Sequence, residues 1–178
     1  QLVEDDKKMT QVMIDKVFSF GELGFQEFET SKYLSSILEE NGFDVEYKIS
    51  NIPTSWLATW SNGNGGPIIA LGSDFDGVPS TSQYPGVAYE KPVVEGAPGH
   101  GEGHNIGVPI VITAALSLKK IMIENNINGT LLLWPGVAEE ILGSKAWYVR
   151  DGYFDDVDMC IFTPVSYTHL TLPTKQAV

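Results

Sequence analysis

Three short stretches of the sequence concentrate side chains that bind metals and move protons. In Pro98-Gly99-His100-Gly101-Glu102-Gly103-His104-Asn105, three potential ligands alternate with glycine. Glycine lets the backbone fold tightly, so His100, Glu102 and His104 can turn toward one point. Imidazole nitrogen and carboxylate oxygen are ordinary ligands of Zn²⁺ and Mn²⁺. The spacing is not G-x-G-x-x-G, which excludes a dinucleotide fingerprint. The second stretch, Ser73-Asp74-Phe75-Asp76-Gly77-Val78-Pro79, offers two carboxylates one residue apart, able to bind a metal or to orient its ligands. The third is Glu139-Glu140, where one carboxylate can hold a metal while its neighbour takes a proton from water. Each has a plainer reading: a glycine loop with incidental histidines, an Asp-rich turn, and an acidic pair at a helix start.

The surrounding pattern places all three after strands. Met9, Val12, Met13, Val17 and Phe20 recur at helical spacing, behind Asp5 and Asp6 and before Gly21 and Gly24. A second amphipathic helix is expected over residues 29–40, stopped by Asn41-Gly42. Phe43, Val45, Tyr47 and Ile49 alternate as a strand, and residues 56–60 read as another. Ile68-Ile69-Ala70-Leu71 is an apolar run suited to a strand buried on both faces. Residues 72–107 carry no sustained period, and a loop of that length inside a domain is usually functional or disordered. Beyond it the pattern predicts a helix over 108–124 that Asn105 could cap, a strand at 129–134, a helix near 140–150 and a strand at 157–162. Strands alternating with helices argue for a layered α/β fold with a mostly parallel central sheet, whose sites collect at the carboxyl ends of strands.

Composition narrows the partners. Acidic residues outnumber basic ones by 23 to 11, a net charge of −12, which repels phosphate backbones and argues against nucleic acid. No uninterrupted apolar run approaches the ~20 residues of a membrane span, so no membrane is expected. The lone Cys160 excludes an internal disulfide framework, and charged residues 1–8 do not read as a secretory signal. Together these favour the cytoplasm. The chain does not begin with Met, so its start reads as a processed end or the edge of a fragment.

Taken together, Gly-His-Gly-Glu-Gly-His-Asn and Ala138-Glu139-Glu140, behind Asp-x-Asp-x-Val-Pro, resemble the metal-dependent amidohydrolase and peptidase family of aminoacylases, hippurate hydrolases and glutamate carboxypeptidases. The branch of the aminobenzoyl-glutamate hydrolases is nearest. The resemblance runs from Leu23-Gly24-Phe25-Gln26-Glu27 through Cys160-Ile161-Phe162-Thr163. It implies a three-layer, zinc-exopeptidase-like catalytic domain, of which residues 1–164 are the N-terminal part. Glu102, His104 and Glu140 then correspond to metal ligands, Glu139 to the general base and Asp76 to the aspartate that supports the site. Asp74 stands where many relatives have histidine. Glu102 stands where the amidohydrolase branch often has a cysteine, and a carboxylate there shifts preference from Zn²⁺ toward Mn²⁺ or Co²⁺, with one or two ions. The implied reaction is hydrolysis of a small-molecule amide, an N-acyl or N-aroyl amino acid or short peptide.

The resemblance also implies parts that are not in this sequence: a histidine after Thr163, where Pro164 stands, an inserted lid domain that usually forms a dimer, and a distal histidine. The complete protein is accordingly expected to be a homodimer or hetero-oligomer. Residues 165–174, V-S-Y-T-H-L-T-L-P-T, match the translation of a transposase sequencing adapter, so 165–178 is expected to be a non-native tail. The rival readings are a non-catalytic metal- or ligand-binding α/β domain and a structural subunit that needs a partner.

Overall fold

The computed structural model describes residues 2–163; Pro164 and the expected tail lie outside the described residues. The chain runs α1 (Leu2–Asp5), α2 (Lys7–Phe20), α3 (Phe28–Glu40), β1 (Asp44–Tyr47), a 3-10 turn (Ile49–Asn51), β2 (Trp56–Asn62), β3 (Ile68–Asp74), α4 (His104–Glu124), β4 (Gly129–Gly136), a second 3-10 turn (Glu139–Ile141), α5 (Lys145–Arg150) and β5 (Met159–Thr163).

Local chemistry accounts for the boundaries. Met13 and Val17, four residues apart, bury one face of α2, which ends at Gly21 in the left-handed region (φ 53°). Glu22 starts α3: its two carboxylate oxygens accept the main-chain N–H groups of Glu29 and Thr30, each at 2.9 Å. Ile49 does not continue the strand of alternating residues. The chain turns there into a 3-10 segment, and Ile49 is buried by the turn itself.

The five strands form one sheet in the order β1-β2-β4-β3-β5. Its site-bearing half is parallel: β3 pairs with β4 (Ile68 opposite Thr130) and with β5 (Ile69 opposite Met159). The other half, β1 with β2 and β2 with β4, is antiparallel. Successive residues of a strand point to opposite faces, and the neighbours of β3 show what covers each. Ser73 lies against Gly107 of α4, whereas Asp74 pairs with Lys145 of α5. Trp134 of β4 packs edge-on to Tyr148 of α5. Helices therefore cover both faces, and the core runs from Leu34 and Leu38 through Leu131 and Leu133 to Ile112.

Helix α4 is both long and apolar. Within its 21 residues an 18-residue stretch has a mean hydropathy of 1.8, enough by length and composition for a membrane span. Polar residues interrupt the apolar run in sequence, which hides the helix from a search for unbroken stretches. Here half of that stretch is buried, and Ile112, Ala115 and Val108 of α4 join the domain core.

Candidate metal centre

The parallel strands deliver the site at their carboxyl ends. Asp74 ends β3, Asp76 follows it, and β4 runs out at Gly136 into the turn that carries Glu139 and Glu140. The third contribution arrives on α4, which starts at His104, four residues earlier than the apolar period suggests. Gly103 precedes it with φ 87°, a conformation that glycine adopts without strain. Asn105 is therefore a buried residue of the first turn and not the cap.

Each of Glu102, His104, Glu139 and Glu140 offers one ligand atom, and these four atoms lie within 4.8 Å of one another. Ligands held ~2.0–2.2 Å from one ion in a tetrahedron stand ~3.3–3.6 Å apart, so side-chain shifts of about 1 Å would close the set. Asp76 lies beneath it. The His104 Nδ1 is 3.1 Å from the main-chain oxygen of Asp76 and 3.5 Å from its Oδ1. Asp76 Oδ2 accepts the N–H of Glu140 at 3.1 Å.

Two observations test whether this set fits a cation. His104 Nε2, Glu140 Oε1 and Asp76 Oδ1 are buried without a hydrogen-bond partner, an arrangement that is costly unless something else satisfies those atoms. The charges also need a counterpart. Burial raises the Glu140 pKa, and the nearby Glu102, Asp76 and Glu139 raise it further against the pull of His104. Burial alone would lower His104, but its hydrogen bond to Asp76 and the charges of Asp74 and Asp76 outweigh that and push it up to about 9. A pocket of carboxylates that stabilises positive charge on one imidazole, whose Nε2 has no hydrogen-bond partner, fits a divalent ion taking the place of that proton.

His100 does not join the set. Its Nε2 lies 3.1 Å from the main-chain oxygen of Val17 on α2, so the first histidine of the glycine run ties that run to a helix end. Asp74 is not among the four: it lies 2.9 Å from the Lys145 ammonium, and burial pushes its pKa up to about 6 in spite of that partner. The expected helix over 140–150 is divided, because Ala138, Leu142 and Ser144 all have positive φ in and around the two short helical pieces.

No protein-family model matches the chain. Over 159 residues it is 34% identical to a p-aminobenzoyl-glutamate hydrolase subunit of Escherichia coli strain K12, covering 89% of this chain and 33% of that protein. It is 32% identical over 139 residues to hippurate hydrolase of Campylobacter jejuni, covering 77% of this chain and 33% of that one. A dinuclear metal-binding peptidase of the M20 family from Bacillus subtilis shares the fold at a TM-score of 0.72 and 24% identity, over 88% of this chain and 43% of that chain. This chain belongs to the metal-dependent amidohydrolase and peptidase family of these relatives. It spans about a third of the length of the curated relatives it matches.

Within this amidohydrolase chain, three residues close to the site carry no signal that sequence reading could use. Lys145 is an ordinary helix residue until the fold sets it on Asp74. Gly24, read as a helix stop, lies where a Cβ would come within 2.9 Å of Ala138. Glu27, in a stretch used only to recognise the family, is fully buried, and its Oε1 accepts the N–H of Ala138 at 2.9 Å.

Proposed function

We propose that the complete protein hydrolyses an amide bond in N-acyl or N-aroyl amino acids or short peptides. The convergence of Glu102, His104, Glu139 and Glu140 carries this reading. The names of the relatives, an aminobenzoyl-glutamate hydrolase and a hippurate hydrolase, support the substrate class.

His104 through Nε2, Glu102 and Glu140 would hold a divalent ion, with Mn²⁺, Zn²⁺ and Co²⁺ all compatible with the donors. When bound, such an ion supplies Lewis acidity at the amide carbonyl and toward water. Asp76 holds His104 by its main-chain oxygen and Glu140 by its side chain, fixing two of the three ligands. Glu139 is the fourth member of the cluster and is free to act as the base: it takes a proton from the attacking water and passes it to the leaving nitrogen as the C–N bond breaks. The products are a carboxylate and an amine.

Further ligands and the lid domain are proposed to come from the remainder of the complete protein, so this 178-residue chain alone should be a poor hydrolase. The Escherichia coli relative is named as one subunit of its hydrolase, which favours a partner-dependent assembly as a second reading. The test is to load the full-length protein with Mn²⁺, Zn²⁺ or Co²⁺, with and without a co-expressed partner, and to assay aminobenzoyl-glutamate and N-acetyl amino acids. Turnover that falls ~10²–10⁴-fold on Glu139→Gln is expected. Metal-loaded protein without turnover in either arrangement, or full turnover by the Glu139→Gln variant, overturns the proposal.

A further inference from the structure

The turn that presents Glu139 and Glu140 is built on an unfavourable backbone. Ala138 has φ 54° and ψ 43°, a left-handed conformation that is strained for any residue with a Cβ. Left to itself, Ala138 would leave that region, and the two carboxylates after it would swing with it. Two main-chain N–H groups of the turn are held by buried carboxylates from other parts of the chain: that of Glu140 by Asp76 and that of Ala138 by Glu27. Gly143 N–H closes the turn from the far side onto the Ala138 oxygen at 2.8 Å.

Glu27 is an unusual residue to find in this role. It is 0% exposed, and its second oxygen accepts the hydroxyl of Thr54 at 2.8 Å. Thr54 is itself fully buried in the segment before β2. A carboxylate kept in such a place must be well satisfied to be tolerated, and one of its two partners is the amide of Ala138, the left-handed residue that leads into Glu139. Gly24 of the same segment is packed so close to Ala138 that a Cβ would collide with it. Segment 22–27 and turn 137–143 therefore interlock.

From these contacts we infer that Glu27 is a positioning residue: it holds Ala138 left-handed and thereby aims Glu139 and Glu140 at His104. The inference rests on the metal-site reading above, but it concerns which residue shapes the site. Glu27 touches neither substrate nor ion.

The test uses the full-length protein with Co²⁺ as the probe, following binding by calorimetry and geometry by the visible absorption of the bound ion. Glu27→Met keeps most of the buried volume but has no acceptor for the Ala138 N–H. Glu27→Asp keeps the charge but is one methylene too short to reach Ala138 and Thr54 together. Glu27→Gln retains an acceptor for Ala138 and can donate to Thr54. Met and Asp are expected to weaken Co²⁺ binding ~10–100-fold, the usual effect of losing a group that orients ligands, and to change the absorption bands. Gln is expected to stay within about threefold of wild type with the same bands. Thermal melting in EDTA shows which variants fold, and if Met does not, Asp carries the test. Folded Met or Asp protein that binds Co²⁺ like wild type overturns the role of Glu27 while leaving the metal site standing. A Gln variant as weak as Met also overturns it. Wild-type protein that binds no Co²⁺ overturns the metal-site reading, and the role of Glu27 with it.

Discussion

The Nδ1 of His104 lies 3.1 Å from the main-chain oxygen of Asp76, and the opposite ring nitrogen is buried without a partner. The contact selects the tautomer: a proton on Nδ1 leaves the Nε2 lone pair for a ligand. Asp76→Ala keeps the main-chain oxygen that holds His104 but removes the carboxylate that accepts the Glu140 N–H and lies 3.5 Å from Nδ1, so it should loosen Glu140 above all. We expect divalent-ion affinity to fall ~10–100-fold by calorimetry. Undiminished affinity in a folded Asp76→Ala protein would show that the ligands position themselves.

The Asp74–Lys145 ion pair makes a different prediction. Its carboxylate is nearly buried while the lysine side chain is 37% exposed. Breaking a buried pair typically costs 3–5 kcal/mol, and solvent at the lysine end reduces this to about 1–3 kcal/mol for Lys145→Met. Asp74→Asn combined with Lys145→Met should recover most of that loss in urea unfolding. Lys145 Nζ also lies 4.5 Å from the centre of the Phe162 ring, and a double variant no more stable than Lys145→Met would mean that the lysine acts through that contact and not through Asp74.

Glu27 gives the pH dependence. Burial raises its pKa, outweighing the hydrogen bonds from its surroundings, Thr54 and Ala138 that lower it. A raised carboxyl pKa means that the folded state holds the proton more tightly than the unfolded state. That contribution is fully present below the unfolded pKa and is lost as pH rises through the folded one. Glu27→Gln cannot ionise, so it should gain stability relative to wild type as pH rises from the acid range toward neutrality. Melting curves of the two proteins across that range provide the measurement, and a gap that shrinks with rising pH would reverse the assigned sign.

Gly24→Ala places a methyl group against Ala138. The overlap involves backbone, so one segment must move, at a cost of about 1–3 kcal/mol. Because the displaced residue leads into Glu139, Co²⁺ affinity should drop along with stability. Loss of stability at unchanged affinity would show that the turn moves as a rigid piece.

Strand β5 is the edge of the sheet among the described residues, with Met159 55% and Ile161 50% exposed. An apolar edge invites pairing with another chain. Ile161→Lys should therefore reduce self-association of this chain in light scattering, and identical scattering from the two proteins would argue against edge pairing.

Much of this was legible in the sequence because the signals are local. Alternation and helical spacing located the five strands and the long helices, and glycine-separated ligands marked the loop before α4. What was missed depends on distant partners. His100 and His104 are equivalent in sequence, and only the closeness of Val17 on one side and Asp76 on the other sends the first to a helix end and the second to the site. The antiparallel half of the sheet was hidden because Trp56–Asn62 reads equally well in either direction, and its pairing with β4 is set by tertiary packing. Glu22 and Glu27 look like surface acids in a helix approach. One caps α3 and the other is buried beneath the turn, choices that only the folded neighbours determine.

The crossover from β3 to β4 carries a consequence for how the protein matures. Ile68 pairs with Thr130, and the connection between them contains Glu102 and His104, while Glu139 and Glu140 lie beyond it. No subset of contacts local in sequence can bring the four together. The cluster forms only when a loop of some sixty residues has closed and α4 has docked. Long-range parallel pairing of this kind is slow, on the order of milliseconds to seconds. Competence to capture an ion should therefore arrive late in folding, after the helices, and an ion added at the start of refolding would find unfolded carboxylates with nothing to converge on.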